Sequence, residues 1–140
     1  MSTPESTPSV RAFSQTEAAF LASHALGRLA YLDHEGAPVV VPVGVRALED
    51  EPAGPAIAIV GHELRQSAKY RALARDPRCA VVVDAGIGPD AQGLIIRGRA
   101  RLVDGPGRPA IVIVADRITT WGIDTPAFER RHRAVAAQER

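Results

Sequence analysis

Residues 28–46, RLAYLDHEGAPVVVPVGVR, are the stretch that decides the expected fold. Residues 28–32 read as a strand, and residues 33–36 form a tight turn in which the last residue, Gly36, supplies a positive φ. Residues 38–46 are rich in β-branched valine, which favours a second strand. Pro42 interrupts that strand, so this segment should be an edge, a bulge or a ligand-facing stretch. The whole stretch therefore predicts an antiparallel β-hairpin.

On the amino-terminal side of the hairpin, the sequence predicts one helix. Ser14 is followed three residues later by Glu17, which is the capping-box pattern, and Phe13 can pack against the next turn. We expect this helix to run to about Ala25, to bury Ala18, Leu21 and Leu26, and to end at Gly27.

On the carboxyl-terminal side, the pattern predicts four more strands and two helices. The strands are Ala56–Val60, Cys79–Asp84, Gly93–Val103 and Ala110–Thr120, and the helices are Leu64–Arg75 and a charged terminal helix over Pro126–Gln138. Short turns between neighbouring strands favour antiparallel pairing, and a closed or nearly closed sheet would hide the strand edges. The regular alternation of strand and helix typical of a doubly wound parallel sheet is absent from the pattern.

Composition narrows the possible partners and the number of domains. The chain has 140 residues, is 46% hydrophobic and carries a net charge of +1, which fits one globular domain and disfavours nucleic acid as the main partner. No apolar stretch approaches the roughly 20 residues that cross a bilayer, so no membrane partner is expected. Residues 1–12 are predicted to be a disordered leader without a secretory signal, residues 13–124 the domain, and residues 125–140 the terminal helix. The single cysteine, Cys79, is interpreted as a structural strand residue, and a cytoplasmic location is expected.

Lys69 is the only lysine in a chain that has 17 lysine and arginine residues in total. It lies in the segment Gly61–Arg71, GHELRQSAKYR, where a glycine turn leads into the second predicted helix. Backbone N–H groups at a helix start favour an anion, and Ser67, Lys69 and Arg71 can add side-chain donors. The pattern predicts a ligand with a phosphate group; the alternative is a lysine on a solvated helix face.

Several motifs, taken in order, resemble the split β-barrel flavoproteins of the pyridoxamine 5′-phosphate oxidase-like superfamily, and most of all its F420-dependent branch. The motifs are Leu26-Gly27-Arg28-Leu29-Ala30, Gly36-Ala37-Pro38 with Val41-Pro42-Val43, Gly61-His62, Lys69-Tyr70-Arg71, Arg75-Asp76-Pro77-Arg78, Val83-Asp84, Ile96-Arg97-Gly98-Arg99-Ala100 and Trp121-Gly122. The resemblance implies a mainly antiparallel split β-barrel with flanking helices. It also implies a homodimer that holds a cofactor in a groove between both chains.

The resemblance assigns roles to particular positions. The cofactor-binding residues it implies are Val41, Pro42, Val43, Gly61, His62, Ser67, Lys69, Val82, Val83, Asp84 and Trp121. Lys69 would hold the phosphate with Ser67 as a second donor, and Trp121 would close the pocket. His62 is either a polar contact to the cofactor or a helix N-cap, and Trp121 is alternatively a packing residue. Many relatives carry two adjacent lysines, or an asparagine three residues after the lysine, and at those places this chain has Ala68 and Ala72.

The function expected from the resemblance is hydride transfer between reduced coenzyme F420 and a small organic acceptor, with the cofactor doing the chemistry. An FMN-dependent oxidase or reductase of the same fold is the alternative. A non-catalytic protein that binds a flavin, F420 or haem is the other class left open. No catalytic residue can be named, and no metal site is expected, because the four histidines are scattered. Arg97, Arg99 and Arg101 share one strand face, which is either a basic stripe or an ordinary solvated face.

Overall fold

A computed structural model describes residues 12–49, 51–104 and 107–135. The helices are α1 (Gln15–Ser23) and α2 (Ala68–Arg75), with short 3₁₀ turns at Leu64–Gln66 and Gly88–Asp90. The strands are β1 (Leu26–Leu32), β2 (Pro38–Gly44), β3 (Arg46–Leu48), β4 (Ala56–Ile59), β5 (Arg78–Ala85), β6 (Gln92–Val103), β7 (Ala110–Trp121) and β8 (Arg130–Ala134). None of the described helices is long and apolar enough to span a membrane.

All strand pairs of the sheet are antiparallel, and the predicted hairpin is its β1–β2 pair. The strands follow the order β2-β1-β5-β6-β7-β4-β3. The two end strands, β2 and β3, are consecutive in the chain and are separated only by Val45. The sheet must therefore curl until its two ends meet, which confirms the predicted split β-barrel.

The interior of the curled sheet is the hydrophobic core. Side chains alternate along each strand, so every second residue points inward. The fully buried inward residues include Leu29, Val81, Leu94, Ile96 and Ile118. Each such aliphatic side chain contributes roughly 1.5–3 kcal/mol when it leaves water, so this core supplies most of the drive to fold.

Helix α1 begins where the capping box predicted but ends earlier than expected. Glu17 N–H donates to Ser14 Oγ at 3.1 Å, and Ser14 N–H donates to Glu17 Oε1 at 2.8 Å, so the capping box is confirmed. The expectation that the helix buries Leu26 and ends at Gly27 is wrong. Leu26 pairs with Gly44 in the β1–β2 ladder and its side chain is exposed, because the strand hydrogen bonds take these residues from the helix.

The segment Leu64–Arg75 is not the single helix that the sequence predicts. Ser67 is extended, with φ −73° and ψ 151°, and this conformation interrupts the helix between the 3₁₀ turn and α2. The Ser67 side chain accepts a hydrogen bond from Tyr70 N–H, which starts α2 afresh. The phosphate-site candidates thus lie at the beginning of a short helix of eight residues.

The charged terminal helix predicted over Pro126–Gln138 is wrong in its described part. Residues Arg130–Ala134 form β8, which pairs with Arg117–Trp121 of β7. Strand β4 covers only the first half of that β7 edge, Ile111–Val114, so the second half is free for another strand. Residues 136–140 of the predicted helix lie outside the described residues, as do residues 1–11 of the predicted leader.

Candidate functional site

The predicted strand residues separate onto two sides of the sheet. Pro42 lies opposite Arg28, which lies opposite Val82 on the next strand, so the three share the side that points away from the core. We call this side the outer face. It comprises Leu26, Ala30, Val40, Pro42, Val82, Asp84, Ile95 and Trp121, together with the residues paired directly opposite them on neighbouring strands. Val41, Val43 and Val83 point to the opposite side, towards the core, and can meet a ligand only through their backbone.

Trp121 ends one row of the outer face, in register with Gly93 and Asp84. Its ring packs flat over Gly93, where any Cβ atom would overlap the indole. The Arg130 guanidinium stands 4.9 Å from the ring centroid on the other side, a cation–π geometry. These contacts are those of a packing residue, and they leave part of the ring exposed at the end of the outer face.

The start of α2 offers a set of unused donors. None of the ion pairs among the described residues involves Lys69. The N–H groups of Ala68 and Lys69 also have no acceptor within the described part of the chain. By contrast, Ser67 Oγ donates to the Leu64 carbonyl at 2.6 Å, so this hydroxyl is occupied by the turn. Lys69 and the two amides can therefore accept an anion, whereas Ser67 would first have to break its own bond.

Gly61 and His62 lie in the exposed loop that leads from β4 to the 3₁₀ turn. The His62 side chain is 93% exposed, and its Nε2 atom is 4.0 Å from Glu63 Oε1. The N-cap alternative for His62 is wrong, because Glu63 precedes the 3₁₀ turn in a left-handed conformation and Ser67 caps α2. The loop is open enough for a ligand to approach both residues.

The predicted site residues fall into two groups at opposite ends of β6. Arg65, four residues before Lys69, pairs with Asp104 just beyond the last residue of β6. Trp121 pairs with Gly93, the second residue of that strand. A strand rises about 3.3 Å per residue, so these ends are of the order of 30 Å apart. One chain therefore does not bring Lys69 and Trp121 together.

Electrostatics argue against a nucleophile at the one cysteine. Burial, with a smaller effect from the Asp116 carboxylate, raises the pKa of the Cys79 thiol to about 12. A thiol with that pKa stays protonated at neutral pH and is unreactive. The structural interpretation of Cys79 is thus confirmed. Within the described ranges, no three His, Cys, Asp or Glu side chains converge as metal ligands do.

The sequence profile described as pyridoxamine 5′-phosphate oxidase matches residues 13–138. The chain belongs to the pyridoxamine 5′-phosphate oxidase family. This membership confirms the resemblance and places the chain among flavin-type oxidoreductases.

One curated relative and two solved structures illustrate the family. A 5a,11a-dehydrotetracycline/5a,11a-dehydrooxytetracycline reductase from Streptomyces rimosus is 34% identical over 123 residues, covering 80% of this chain and 84% of the relative. A conserved hypothetical protein from Mycobacterium tuberculosis has a TM-score of 0.65 at 21% identity, over 83% of this chain and 89% of its own. A heme binding protein from Mycobacterium smegmatis has a TM-score of 0.62 at 19% identity, over 87% of this chain and 58% of its own. At these identities the two structures show a shared fold.

The residues present fit a flavin-type cofactor. A phosphate group needs positive charge and N–H donors, which Lys69 and the amides at the start of α2 supply. A planar ring needs a flat, largely apolar surface. The half-buried side chains of Ala30, Val82 and Ile95 lie next to one another on three adjacent strands and provide such a surface on the outer face.

Sequence reasoning missed the contribution of β8. This strand places Arg130 over Trp121, and it places His132 opposite Thr119 on the outer face, where His132 Nδ1 and Thr119 Oγ1 are 2.9 Å apart. The segment Arg130–Ala134 has no alternation of apolar and polar residues. No periodic signal could therefore have revealed a strand there.

Proposed function

We propose that this protein is an oxidoreductase that transfers a hydride from reduced coenzyme F420 to a small organic acceptor. The observation that carries the proposal is the unpaired Lys69 beside two free amides at the start of α2, in a chain with a reductase as a 34% identical relative. When bound, the cofactor supplies the hydride. The protein's own residues bind and orient the reactants, which is the usual division of labour in cofactor enzymes.

Each end of the site has a separate task in this proposal. Lys69 holds the cofactor phosphate as a point charge, and the two amides add directional hydrogen bonds. Val82 and Ile95 support the flat ring, and Trp121 limits one end of the surface. Gly61 and His62 line the approach, and the backbones of Val41, Val43 and Val83 run beneath the ring. Because the outer face is open to water, solvent supplies the accompanying proton.

The acceptor that fits this proposed function is a conjugated organic molecule with a reducible carbon–carbon double bond. The name of the Streptomyces relative describes reduction of a dehydro compound of that kind. A planar, largely apolar acceptor would stack over the cofactor on the outer face, where aliphatic side chains exclude water from its lower side. We also place the reaction in the cytoplasm, where the single Cys79 would stay reduced.

We propose that the working form is a symmetric homodimer. Leu26 is 56% exposed and Val40 is 64% exposed, although both are large apolar side chains on the outer face. A second copy of the chain would cover them and would bring one copy's Trp121 towards the other copy's Lys69. Light scattering on wild type and on Val40→Asp tests this: we expect a dimer for wild type and a monomer for the variant. A wild-type monomer at micromolar concentration would contradict the proposal.

The cofactor is tested by titrating the purified protein with F420 and, separately, with FMN. We expect F420 fluorescence to be quenched at micromolar protein, and we expect Lys69→Ala to lose this response while Arg101→Gln keeps it, because Arg101 is already paired with Glu51. Binding of FMN alone would favour the alternative, an FMN-dependent oxidase or reductase.

Turnover is tested with a panel of small enones and the reduced cofactor. Reduction of any of them supports an enzyme. Tight binding without turnover across the panel would favour a non-catalytic protein that binds a flavin, F420 or haem.

A further inference from the structure

A cavity of about 410 Å³ lies against strands β5, β6 and β7, away from the start of α2. Four arginines line it, Arg78, Arg97, Arg99 and Arg117, together with Cys79, Gly98 and Asp116. The four arginines share the outer face, because Arg78 is opposite Arg99 and Arg97 is opposite Arg117. None of the residues assigned to the cofactor lines this cavity.

Like charges face each other around the cavity. Two pairs of like charges stand directly opposite each other on neighbouring strands, and such pairs destabilise a sheet. Asp76 neutralises Arg78 through contacts of 2.7 Å and 3.0 Å. Within the described part of the chain, Arg97, Arg99 and Arg117 have no ion-pair partner.

The next arginine along β6 shows the contrast. Arg101 is two residues beyond Arg99 on the same face, but it lies outside the cavity and donates to Glu51 Oε2 at 2.8 Å. The strand thus pairs its charge where there is no cavity and leaves it unpaired where there is one. The four arginines of the cavity are exposed, so an anion in solution can reach them.

Backbone geometry holds the arginines in place. The register between β6 and β7 shifts between Arg97 and Gly98, so Asp116 is an extra residue in β7. At Gly98 a Cβ atom would overlap the Val114 carbonyl, so β7 passes closer there than any other residue type would allow. Such bulges change the direction of neighbouring side chains and are frequent next to binding sites.

The floor of the cavity adds no negative charge. Cys79 Sγ lies 3.8 Å from the Gly98 carbonyl oxygen, and burial keeps this thiol neutral by raising its pKa to about 12. The only carboxylates close to the four guanidinium groups are Asp76 on Arg78 and Asp116 in the wall, again counting only the described residues. Positive charge is therefore in excess of negative charge in the cavity.

We infer that this cavity binds a small oxyanion that carries at least two negative charges, such as a phosphate or a di- or tricarboxylate group. Guanidinium forks match the oxygen geometry of both groups. Arg97, Arg99 and Arg117 line the cavity without an ion-pair partner in the described part of the chain, and Asp116 is the one carboxylate in the lining. The site is separate from the donors at the start of α2, because Lys69 does not line it. The inference does not depend on which redox cofactor the protein uses.

The test is calorimetric titration of the full-length protein with inorganic phosphate and, in a second arm, with citrate, both at constant ionic strength set with NaCl. We expect saturable binding of at least one of them. Arg97→Gln/Arg99→Gln should weaken it by about tenfold or more, the usual cost of lost charge-assisted hydrogen bonds. Arg101→Gln should leave it unchanged, and Lys69→Ala should keep the component of binding that Arg97→Gln/Arg99→Gln removes. Whether phosphate or citrate binds more tightly distinguishes the two sources of negative charge.

A second readout shows whether the double variant is folded and whether repulsion is relieved. At low ionic strength without added anion, Arg97→Gln/Arg99→Gln should have a higher melting temperature than wild type, because the uncompensated pair of like charges at Arg97 and Arg117 is removed. Wild type should be stabilised more by phosphate or citrate than by NaCl of equal ionic strength, and the double variant should not. Equal binding by wild type and the double variant, loss of binding only in Lys69→Ala, or equal stabilisation by NaCl would each overturn the inference.

Discussion

Glu17 is the residue whose replacement should be most informative about how the barrel holds its last strand. Its side chain is fully buried. One carboxylate oxygen completes the cap of α1, and the other forms an ion pair with Arg133 of β8. The Arg131 guanidinium lies further away, with its Nη2 atom 3.8 Å from Glu17 Oε2. The charge of Glu17 thus joins the amino-terminal helix to the strand that the sequence did not predict.

Glu17→Gln removes the charge and keeps the cap. The amide oxygen of glutamine can still accept from Ser14 N–H, so the loss of the capping bond, worth about 1 kcal/mol, is avoided. Arg133 stays largely buried, with an exposed side-chain fraction of 7%, and burial already lowers the pKa of its guanidinium. Breaking one partner of a buried pair costs about 3–5 kcal/mol. For Glu17→Gln we expect the free energy of unfolding to fall by about 3 kcal/mol, the lower end of this range, because Arg131 and Asp124 lie near the same pair.

The assay is urea denaturation followed by the fluorescence of Trp121, the only tryptophan of the chain, which lies on β7 beside β8. A loss of this size corresponds to a melting temperature lower by about 10 °C in a domain of this length. Glu17→Gln combined with Arg133→Met should recover most of the loss, because no buried charge then lacks a partner. Arg131→Gln is the matched control and should cost less than about 1 kcal/mol, as exposed pairs do.

Two results would refute the reasoning about Glu17. A change below about 1 kcal/mol in Glu17→Gln would mean that the pair is effectively solvated. A double variant no more stable than Glu17→Gln would mean that the loss has a cause other than the uncompensated charge of Arg133.

Two further predictions concern the two ends of the site, and a third concerns the ion pair of Asp76 with Arg78. Lys69→Ala should weaken cofactor binding by about 1.5–3 kcal/mol without changing stability, and Lys69→Arg should recover only part of it; unchanged affinity in a binding titration would return Lys69 to a solvated helix face. Gly93→Ala should displace the ring of Trp121 and shift its emission maximum, since a Cβ atom there overlaps the indole; an unchanged spectrum would contradict the packing described. The Arg78 side chain, and next its backbone N–H, lower the pKa of Asp76 to about 2, so the stability this carboxylate provides is present above its ordinary pKa near 4 and is lost as pH falls towards 2; acid titration of Asp76→Asn should lack this component.

Local patterns in the sequence were sufficient for the elements whose own residues set their geometry. The hairpin of β1 and β2 follows from β-branched residues around Gly36, and the start of α1 follows from the capping box of Ser14 and Glu17. That Lys69 is the only lysine was also visible in the sequence, although its helix was expected to begin at Leu64 and begins at Ala68. Such features depend on neighbours within a few residues, so they can be derived before any long-range contact is known.

Tertiary structure decided what depends on partners far away in the chain. The last residues predicted for α1 belong instead to the β1–β2 ladder. Residues 130–134 form a strand because they pair with the free half of the β7 edge and because Arg133 forms an ion pair with the buried carboxylate of Glu17. The distance between Lys69 and Trp121 follows from the register of β6, which no local pattern encodes. Likewise, four arginines spread over three strands share one cavity only once those strands are paired. Helix caps and turns are set by short-range bonds, whereas strand register and the partners of buried charges are set by the complete barrel.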